Sequence, residues 1–186
     1  MSHQPFKLRC FFIISVVLSI FLISCKNKIP VIPKSDLLTL PTLTDKDFTT
    51  TLTDSGRVQL VMSSPLVEQY DNADPPYLEF RFGIKVVIYN GKDTAQARIT
   101  SKYAKCTNNN LWELRDSVVV INDKDERLET EQLFWDQKKD LIYTDRFVKI
   151  TSADQTTQGI GFESDSHLNR RKIKKVTGDI YVNNEE

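Results

Sequence analysis

Three cysteines carry the only thiols in this 186-residue sequence: Cys10, Cys25 and Cys106. Cys25 ends the tetrapeptide Leu22-Ile23-Ser24-Cys25, in which an aliphatic residue and a small residue precede the thiol. A thiol in this setting can be alkylated by a diacylglyceryl donor, and the small serine lets a peptidase reach the preceding bond. We therefore expect cleavage before Cys25 and a lipid-modified N-terminus that carries acyl chains such as palmitate.

The residues before Cys25 follow the pattern of a secretion signal, a basic region and then an apolar region. Lys7 and Arg9 form a positive region, and the apolar run from Phe11 to Ile23 follows it. That run has the length of a signal core and is too short for a transmembrane helix, which needs about 20 residues. Together with the tetrapeptide it resembles the lipobox of bacterial lipoproteins. The alternative is an uncleaved anchor helix with an incidental cysteine.

Residues suited to catalysis are sparse in the rest of the chain. Loss of the signal leaves Cys106 without a disulfide partner, so we interpret it as a small apolar filler. His167 is then the single histidine, and we expect it on a solvated loop rather than in a catalytic triad. No Cys and His cluster has metal-site spacing, and Gly159-Ile160-Gly161 is too short for a phosphate loop. We expect no metal and no cofactor.

Charge and carboxylates narrow the function further. The formal net charge is zero, which provides no electrostatic footprint for nucleic acid. A pair of carboxylates of the glycosidase type stays open, with Asp136, Asp140 and Asp165 as candidates in predicted loops. We expect a protein that is not an enzyme, with a lipid-anchored glycan hydrolase as the less favoured alternative.

The chain divides into three segments. Residues 1–24 are the predicted signal peptide, and residues 25–46 are the lipidated N-terminus and a tether with Pro30, Pro33 and Pro41. Proline fixes φ and lacks a donor, so this stretch should be extended. Residues 47–186 are the predicted folded domain.

Period-two alternation dominates that domain. From Leu78 to Ile88 the even-numbered residues are apolar, while Glu79, Arg81 and Lys85 lie between them. This is the pattern of a half-buried antiparallel strand. Turn clusters follow at intervals of roughly 10 residues, starting with Asn90-Gly91-Lys92-Asp93, so the sequence predicts an all-β domain.

An internal repeat sets the architecture. Leu111–Val120 resembles Leu141–Ile150, so that Val118 corresponds to Val148. A spacing of 32 residues relates Val118 back to Val86 and Val148 forward to Ile180. Each unit reads as a pair of strands that cannot bury its apolar face alone, so neighbouring units must stack. The expected product is a twisted antiparallel sheet that folds onto itself around one apolar inner surface.

The lipobox, the repeat and several phrases together resemble the LptC family of lipopolysaccharide-transport proteins, within the OstA-like group. The matching stretch runs from about Leu111 to Val182. Its phrases are Leu128-Glu129-Thr130-Glu131-Gln132-Leu133-Phe134-Trp135-Asp136, Ile142-Tyr143-Thr144-Asp145, Val148-Lys149-Ile150, Gly159-Ile160-Gly161-Phe162-Glu163-Ser164-Asp165 and Ile173-Lys174-Lys175-Val176-Thr177-Gly178-Asp179-Ile180.

The resemblance implies a twisted antiparallel β-jelly roll built from repeated strand pairs. It also implies a carrier at the periplasmic face of the inner membrane, which receives lipopolysaccharide from an inner-membrane ABC transporter. The carrier passes the glycolipid to a periplasmic bridge protein of similar fold. Many members of the family have an N-terminal transmembrane helix where this chain has a lipobox, so anchoring in the outer membrane stays an alternative.

The resemblance and the alternation together give candidate site residues. Lys175 matches a basic position of the family and could contact a sheet partner or a glycolipid phosphate, or be a solvated edge lysine. The expected inward-facing residues of a lipid-binding groove are Phe80, Phe82, Val86, Ile88, Leu114, Val118, Val120, Ile142, Val148, Ile150, Phe162, Ile180 and Val182. The alternative to an open groove is an all-β structural or adaptor lipoprotein with a closed core.

Overall fold

A computed structural model describes residues 39–89, 94–166 and 170–181. Every regular element in these ranges is a β-strand. The strands are β1 (Leu43–Asp54), β2 (Arg57–Tyr70), β3 (Tyr77–Phe80), β4 (Ile84–Tyr89), β5 (Ala95–Ser101), β6 (Tyr103–Thr107), β7 (Leu111–Asn122), β8 (Arg127–Asp136), β9 (Leu141–Thr151), β10 (Gln155–Ser164) and β11 (Lys172–Tyr181). All of them belong to one antiparallel sheet of 11 strands, which confirms the predicted all-β, jelly-roll-like fold.

The sheet is a meander of long strands, two of which are interrupted. β3 and β4 are the two halves of one interrupted strand, because both pair with β2, through Tyr70 opposite Tyr77 and Leu60 opposite Ile88. β5 and β6 are likewise two halves, and both pair with β7. From β7 onwards each strand pairs with the next one in the chain. The sheet therefore needs no crossover connection.

The interruptions lie at corresponding places on successive strands. The register shifts between Arg115 and Val118 on β7, and between Thr130 and Phe134 on β8. Gly83 between β3 and β4 has φ 84°, and Gly161 on β10 has φ 77°. Extra residues in left-handed conformations bend a strand and strengthen its local twist. We call this line of bends the fold line, because the sheet turns over along it.

The fold line separates two layers whose inner faces meet. The first layer contains β4, β5 and residues 118–122 of β7, and the second contains β3, β6 and residues 111–115 of β7. Strands β8 to β10 continue both layers with their two halves. The buried apolar residues form one cluster with members from both layers, from Met62 and Val86 to Phe80 and Leu114.

Buried hydroxyl groups bridge strands beside the fold line. The Ser64 hydroxyl lies 2.8 Å from the carbonyl oxygen of Gly83 on the neighbouring strand and can donate to it. The Thr130 hydroxyl donates to the carbonyl oxygen of Phe147 at 2.8 Å. Buried carbonyl groups need a donor where the regular ladder is interrupted, and these short side chains supply it.

The repeat in the sequence corresponds to a repeat in the sheet. β7 and β9 have nearly the same order of buried and exposed residues, and each is bent in its middle. Tyr89 of β4 pairs with Ala95 of β5, so these strands form the predicted hairpin, although its turn at 90–93 lies outside the described residues.

Two sequence expectations need correction. Phe82 does not face inward, because its side chain is 66% exposed. Unbroken alternation from residue 78 to 88 would bury it, but the chain turns at Arg81–Gly83, which rotates Phe82 to the outside. β1 also begins at Leu43, so residues 43–46, which the sequence assigned to the tether, pair with β2. This edge strand is exposed along nearly its whole length and therefore lacks clear alternation.

Glycine at position 83 should be essential for the fold line. In Gly83→Ala the new methyl group would collide with the Ser101 carbonyl oxygen, and alanine would be strained at positive φ. Gly56→Ala is the matched control, because Gly56 also has positive φ, of 76°, but nothing within 4 Å of an added Cβ. Strain alone costs about 1–2 kcal/mol. Urea unfolding should give that loss for the control and more than about 3 kcal/mol for Gly83→Ala. Equal losses would contradict the close approach.

Candidate functional site: the rim of the folded sheet

The centre of the interior is filled by side chains. Val118, Ile142, Val148 and Phe162 have no exposed surface at all. The other buried members of the predicted groove are Phe80, Val86, Ile88, Leu114 and Val120, and Ile150 is half-buried against the same cluster. Ile180 lies on β11, but the structure does not describe its side chain. Val182 lies outside the described residues. The assignment of these residues to a lipid-binding groove stays a prediction.

The interior opens near the last strand. A cavity of about 300 Å³, which we call the rim cavity, lies beside β11. Its apolar lining is Ile150, Ile173 and Val176, and the first two pack against the core cluster. Val176 is 53% exposed although it lies opposite the buried Gly159 of β10. The polar lining residues are Glu126, Ser152, Gln155, Thr157 and Arg171.

An ion pair lies in the wall of the rim cavity. Arg171 Nη1 is 2.8 Å from Glu126 Oε2, and Arg171 Nη2 donates to Glu126 Oε1 at 2.9 Å. Asn122 Nδ2 donates to the same carboxylate at 2.6 Å. The pair connects the chain before β8, in the first layer, to the chain before β11, next to the second layer. It therefore closes part of the gap between the layers.

The electrostatics of Glu126 favour its charged form. Burial would by itself raise the pKa of Glu126, but hydrogen bonds from Arg171 and Asn122 lower it, helped by the charges of Arg171 and Lys124. The lowering influences outweigh burial, so the pKa lies below the usual glutamate value of 4.5. The ion pair is thus complete at neutral pH.

Both borders of the sheet have an unpaired edge within the described residues. β1 pairs with β2 alone, and β11 pairs with β10 alone. Lys175 lies inside β11, opposite Ile160, and is exposed. Lys174 next to it contacts Asp145 at 3.1 Å and Glu163 at 3.0 Å, which links β11 to β9 and β10. The edge of β11 is therefore held in place and open to another strand.

Two larger grooves lie elsewhere on the described residues. One, of about 690 Å³, is lined by charges of both signs, including Arg115, Arg146 and Glu131. Its charged walls would lose their hydration against a hydrocarbon chain. Another groove, of about 450 Å³, lies at the fold line beside Phe82 and Gly83. The rim cavity is smaller, but it continues the apolar interior.

The catalytic candidates find other partners. The side chain of Lys139 donates a hydrogen bond to Asp136, which lowers the pKa of Asp136, the opposite of what a general acid needs. Asp140 bonds the Ser166 hydroxyl, and Asp165 pairs with Arg170 at 3.3 Å. Within the described ranges no three potential ligands gather as a metal site. His167 lies outside those ranges.

Cys106 has the environment of a core residue. It is buried, and burial raises its pKa to about 12, so the thiolate is disfavoured at neutral pH. This agrees with the interpretation of Cys106 as an apolar filler.

Sequence reasoning predicted Ile150 as a groove residue but missed the other residues that form the rim cavity. Glu126 and Arg171 are 45 positions apart, and neither belongs to a local motif. Ile173 and Val176 are three residues apart, which breaks the period-two pattern. Between these two residues β11 passes Gly161 of β10, where the left-handed backbone bends the sheet at the fold line. The five basic residues between Arg170 and Lys175 were the available signal for an unusual edge.

Comparison with known proteins gives one family. The model of the family described as "Lipopolysaccharide-assembly, LptC-related" matches residues 10–181, which is most of the chain. No curated protein matches the sequence.

The Glu126–Arg171 pair should make stability depend on pH. Because the folded state lowers the pKa of Glu126, its contribution is present above the unfolded value near 4.5 and is lost as the pH falls through the folded value. Glu126→Gln should cost about 1 kcal/mol at pH 7 and progressively less below pH 4.5. Urea unfolding of Glu126→Gln, Arg171→Gln and the double variant measures this. A cost that is the same at acidic pH would contradict the assignment.

Proposed function

We propose that this chain, which belongs to the LptC-related family of lipopolysaccharide-assembly proteins, is a membrane-tethered carrier that holds lipopolysaccharide by its acyl chains. The family is one of transport proteins rather than enzymes. The carrier role needs an apolar surface that is reachable from outside and a border that can meet another protein. It needs no catalytic residue.

The rim cavity is the observation that carries this proposal. Ile150, Ile173 and Val176 give it an apolar lining that is continuous with the core. Each methylene of an acyl chain that leaves water contributes about 0.8 kcal/mol. A volume of about 300 Å³ is at the lower end of ligand cavities, so it would hold part of a chain while the layers are closed.

The packed centre and the open rim together suggest how a chain enters. Insertion beyond Val176 requires the two layers to move apart, and the Glu126–Arg171 pair lies where that movement begins. The predicted groove residues, from Phe80 to Phe162, would then exchange contacts with each other for contacts with hydrocarbon. Such an exchange is nearly neutral in apolar burial, which suits a carrier that must also release its cargo.

The tether is part of the proposal. Cys25 would carry the lipid, including palmitate, and hold the protein at the periplasmic face of the inner membrane, with the outer membrane as the alternative. Two acyl chains suffice for stable anchoring. The signal peptide, Cys25 and the tether up to residue 38 lie outside the described residues. Within the part of the chain that is described, no helix is long and apolar enough to cross a membrane.

Transfer would use the free borders of the sheet. The chain would receive lipopolysaccharide from an inner-membrane ABC transporter and pass it to a periplasmic bridge protein of similar fold. The unpaired edge of β11 lies beside the rim cavity, so a strand added there would extend both the sheet and the apolar interior. Lys175 on this edge is a candidate contact for the partner or for a glycolipid phosphate.

A charge in the rim cavity should weaken lipopolysaccharide binding. Val176→Glu places a carboxylate among the apolar lining, where its desolvation opposes binding. Ile160→Glu is the matched control, because Ile160 is also an exposed aliphatic residue, at 45%, and lies on the neighbouring strand outside the cavity. Photocrosslinking to lipopolysaccharide should fall roughly tenfold in the first variant only, as one unfavourable contact of about 1.4 kcal/mol predicts.

The result can also contradict the proposal. Thermal unfolding of both variants establishes that the fold is intact. Unchanged crosslinking in folded Val176→Glu would argue against the rim cavity as the acyl site, and so would an equal loss in Ile160→Glu.

The packed centre supports one alternative, an all-β structural or adaptor lipoprotein with a closed core. In that case the purified chain would crosslink to no lipopolysaccharide, and capture from membranes would recover no transporter. Recovery of both would exclude the alternative.

The lipid anchor should depend on Cys25 alone. Cys25→Ser should abolish labelling with radioactive palmitate and release the protein from the membrane fraction, because an oxygen nucleophile does not replace the thiol. Cys106→Ala is the control, because Cys106 is buried in the folded domain and should leave labelling unchanged. Membrane association that persists in Cys25→Ser would instead support the uncleaved anchor helix.

A further inference from the structure

One row of inward-facing residues crosses the second layer next to its turns. Through successive strand pairs, Leu78 lies opposite Cys106, Cys106 opposite Trp112, Trp112 opposite Trp135, Trp135 opposite Ile142, and Ile142 opposite Ser164. These residues belong to β3, β6, β7, β8, β9 and β10 in turn. We call them the rim row. It is the inward row of the second layer that is farthest from the fold line.

Three polar atoms of the rim row have no hydrogen-bond partner among the described residues. They are the indole nitrogens of Trp112 and Trp135 and the hydroxyl oxygen of Ser164, and all three are buried. Trp112 is 6% exposed and Ser164 is 3% exposed. A fourth buried oxygen, Glu68 Oε2, lies 2.7 Å from Arg81 Nε, so it has a charged neighbour. The buried polar groups that lack a partner therefore share one row.

The indole rings are fixed by stacking. Phe80 stacks on Trp112 with ring centroids 5.6 Å apart, and Trp112 stacks on Trp135 with centroids 6.5 Å apart. A ring held in this way cannot rotate freely to find another acceptor. Buried indole N–H groups usually have a hydrogen-bond partner. A buried donor without one loses its hydrogen bonds to water and gains none from the protein, which destabilises the fold. Phenylalanine would supply aromatic stacking without an unpaired donor, although its ring fills less volume.

The rim row ends beside the rim cavity. Ser164 follows Glu163, which lies opposite Lys172 at the start of β11. Arg171 and Ile173, on either side of Lys172, line the rim cavity. A ligand that enters there meets the Ser164 end of the row first.

We propose that the rim row is a binding site for the carbonyl oxygen of an acyl ester or amide. The indole N–H is a donor only, so it selects an acceptor and rejects a cation or another donor. The carbonyl group is the acceptor that directly adjoins a hydrocarbon chain, which matches a polar row bordered by Leu114 and Leu133 in the next row inward. This inference rests on the proposed function, because it requires acyl chains to enter between the layers.

A pair of probes isolates the carbonyl group. One is a lysophosphatidylglycerol with an ester-linked saturated chain, and the other is its ether-linked analogue of the same length. Calorimetric titration of the full folded domain with each probe gives an affinity ratio, ester over ether. The variants are Trp112→Phe, Trp135→Phe and Ser164→Ala. The control is Tyr143→Phe, which removes a hydroxyl from a residue of β9 that stacks on Phe134 rather than in the rim row.

The inference predicts a change in the ester-over-ether affinity ratio, in addition to a change in the affinity for the ester probe. The wild type should prefer the ester, and each tryptophan variant should lose roughly 3- to 10-fold affinity for the ester and none for the ether, as expected for one hydrogen bond. The tryptophan variants should lose only the stability that the smaller ring explains, because the N–H groups they lose have no protein partner. Tyr143→Phe should keep the wild-type ratio.

The other outcomes overturn the inference in distinguishable ways. A ratio near one in the wild type means that internal water, not a carbonyl group, satisfies these donors. Equal losses for ester and ether in the variants mean that the tryptophans act only by packing. Failure of the wild type to bind either probe would overturn the proposed acyl cavity itself.

Discussion

The alignment of strand bends along one line is the constraint on which the rest of the structure depends. A single antiparallel sheet of this size cannot bury its apolar face without another layer. Here the second layer is the same sheet, turned over where the backbone adopts left-handed conformations at Gly83, Gly161 and the Asp116-Ser117 pair. If one strand bent two residues earlier than its neighbour, its inner residues would lose their register with both layers. The hydroxyl groups of Ser64 and Thr130 satisfy carbonyl groups along this line.

Folding a sheet over itself produces a centre and a rim with different properties. Near the fold line Val118, Val148 and Phe162 are completely buried. At the β11 side the layers separate, and the Glu126–Arg171 pair joins them across the gap. Stability therefore comes mainly from the centre, while the layers at the rim can move relative to each other. The same separation of roles places the polar groups of Trp112, Trp135 and Ser164 away from the fold line.

The sequence predicted the fold well because the dominant signal was local. Period-two alternation identified the strands, and the similarity of Leu111–Val120 to Leu141–Ile150 identified equivalent bent strands. Alternation failed where the backbone leaves the extended conformation. Phe82 follows the parity of its neighbours in sequence, but the turn before Gly83 reverses its direction. Val176 was missed for a related reason, since the bend at Gly161 of the neighbouring strand lies between Val176 and Ile173 and breaks the parity. The Glu126–Arg171 contact joins residues 45 positions apart, and no local pattern encodes it.

The start of β1 sets the number of residues between the sheet and the proposed anchor. The sheet begins at Leu43, and the proposed anchor is Cys25, so the intervening chain has a contour length of at most about 60 Å. Had the sheet begun at Asp47, four more residues would have been free to extend. With the lipid at Cys25, as proposed, β1 would therefore begin no farther than about 60 Å from the bilayer surface.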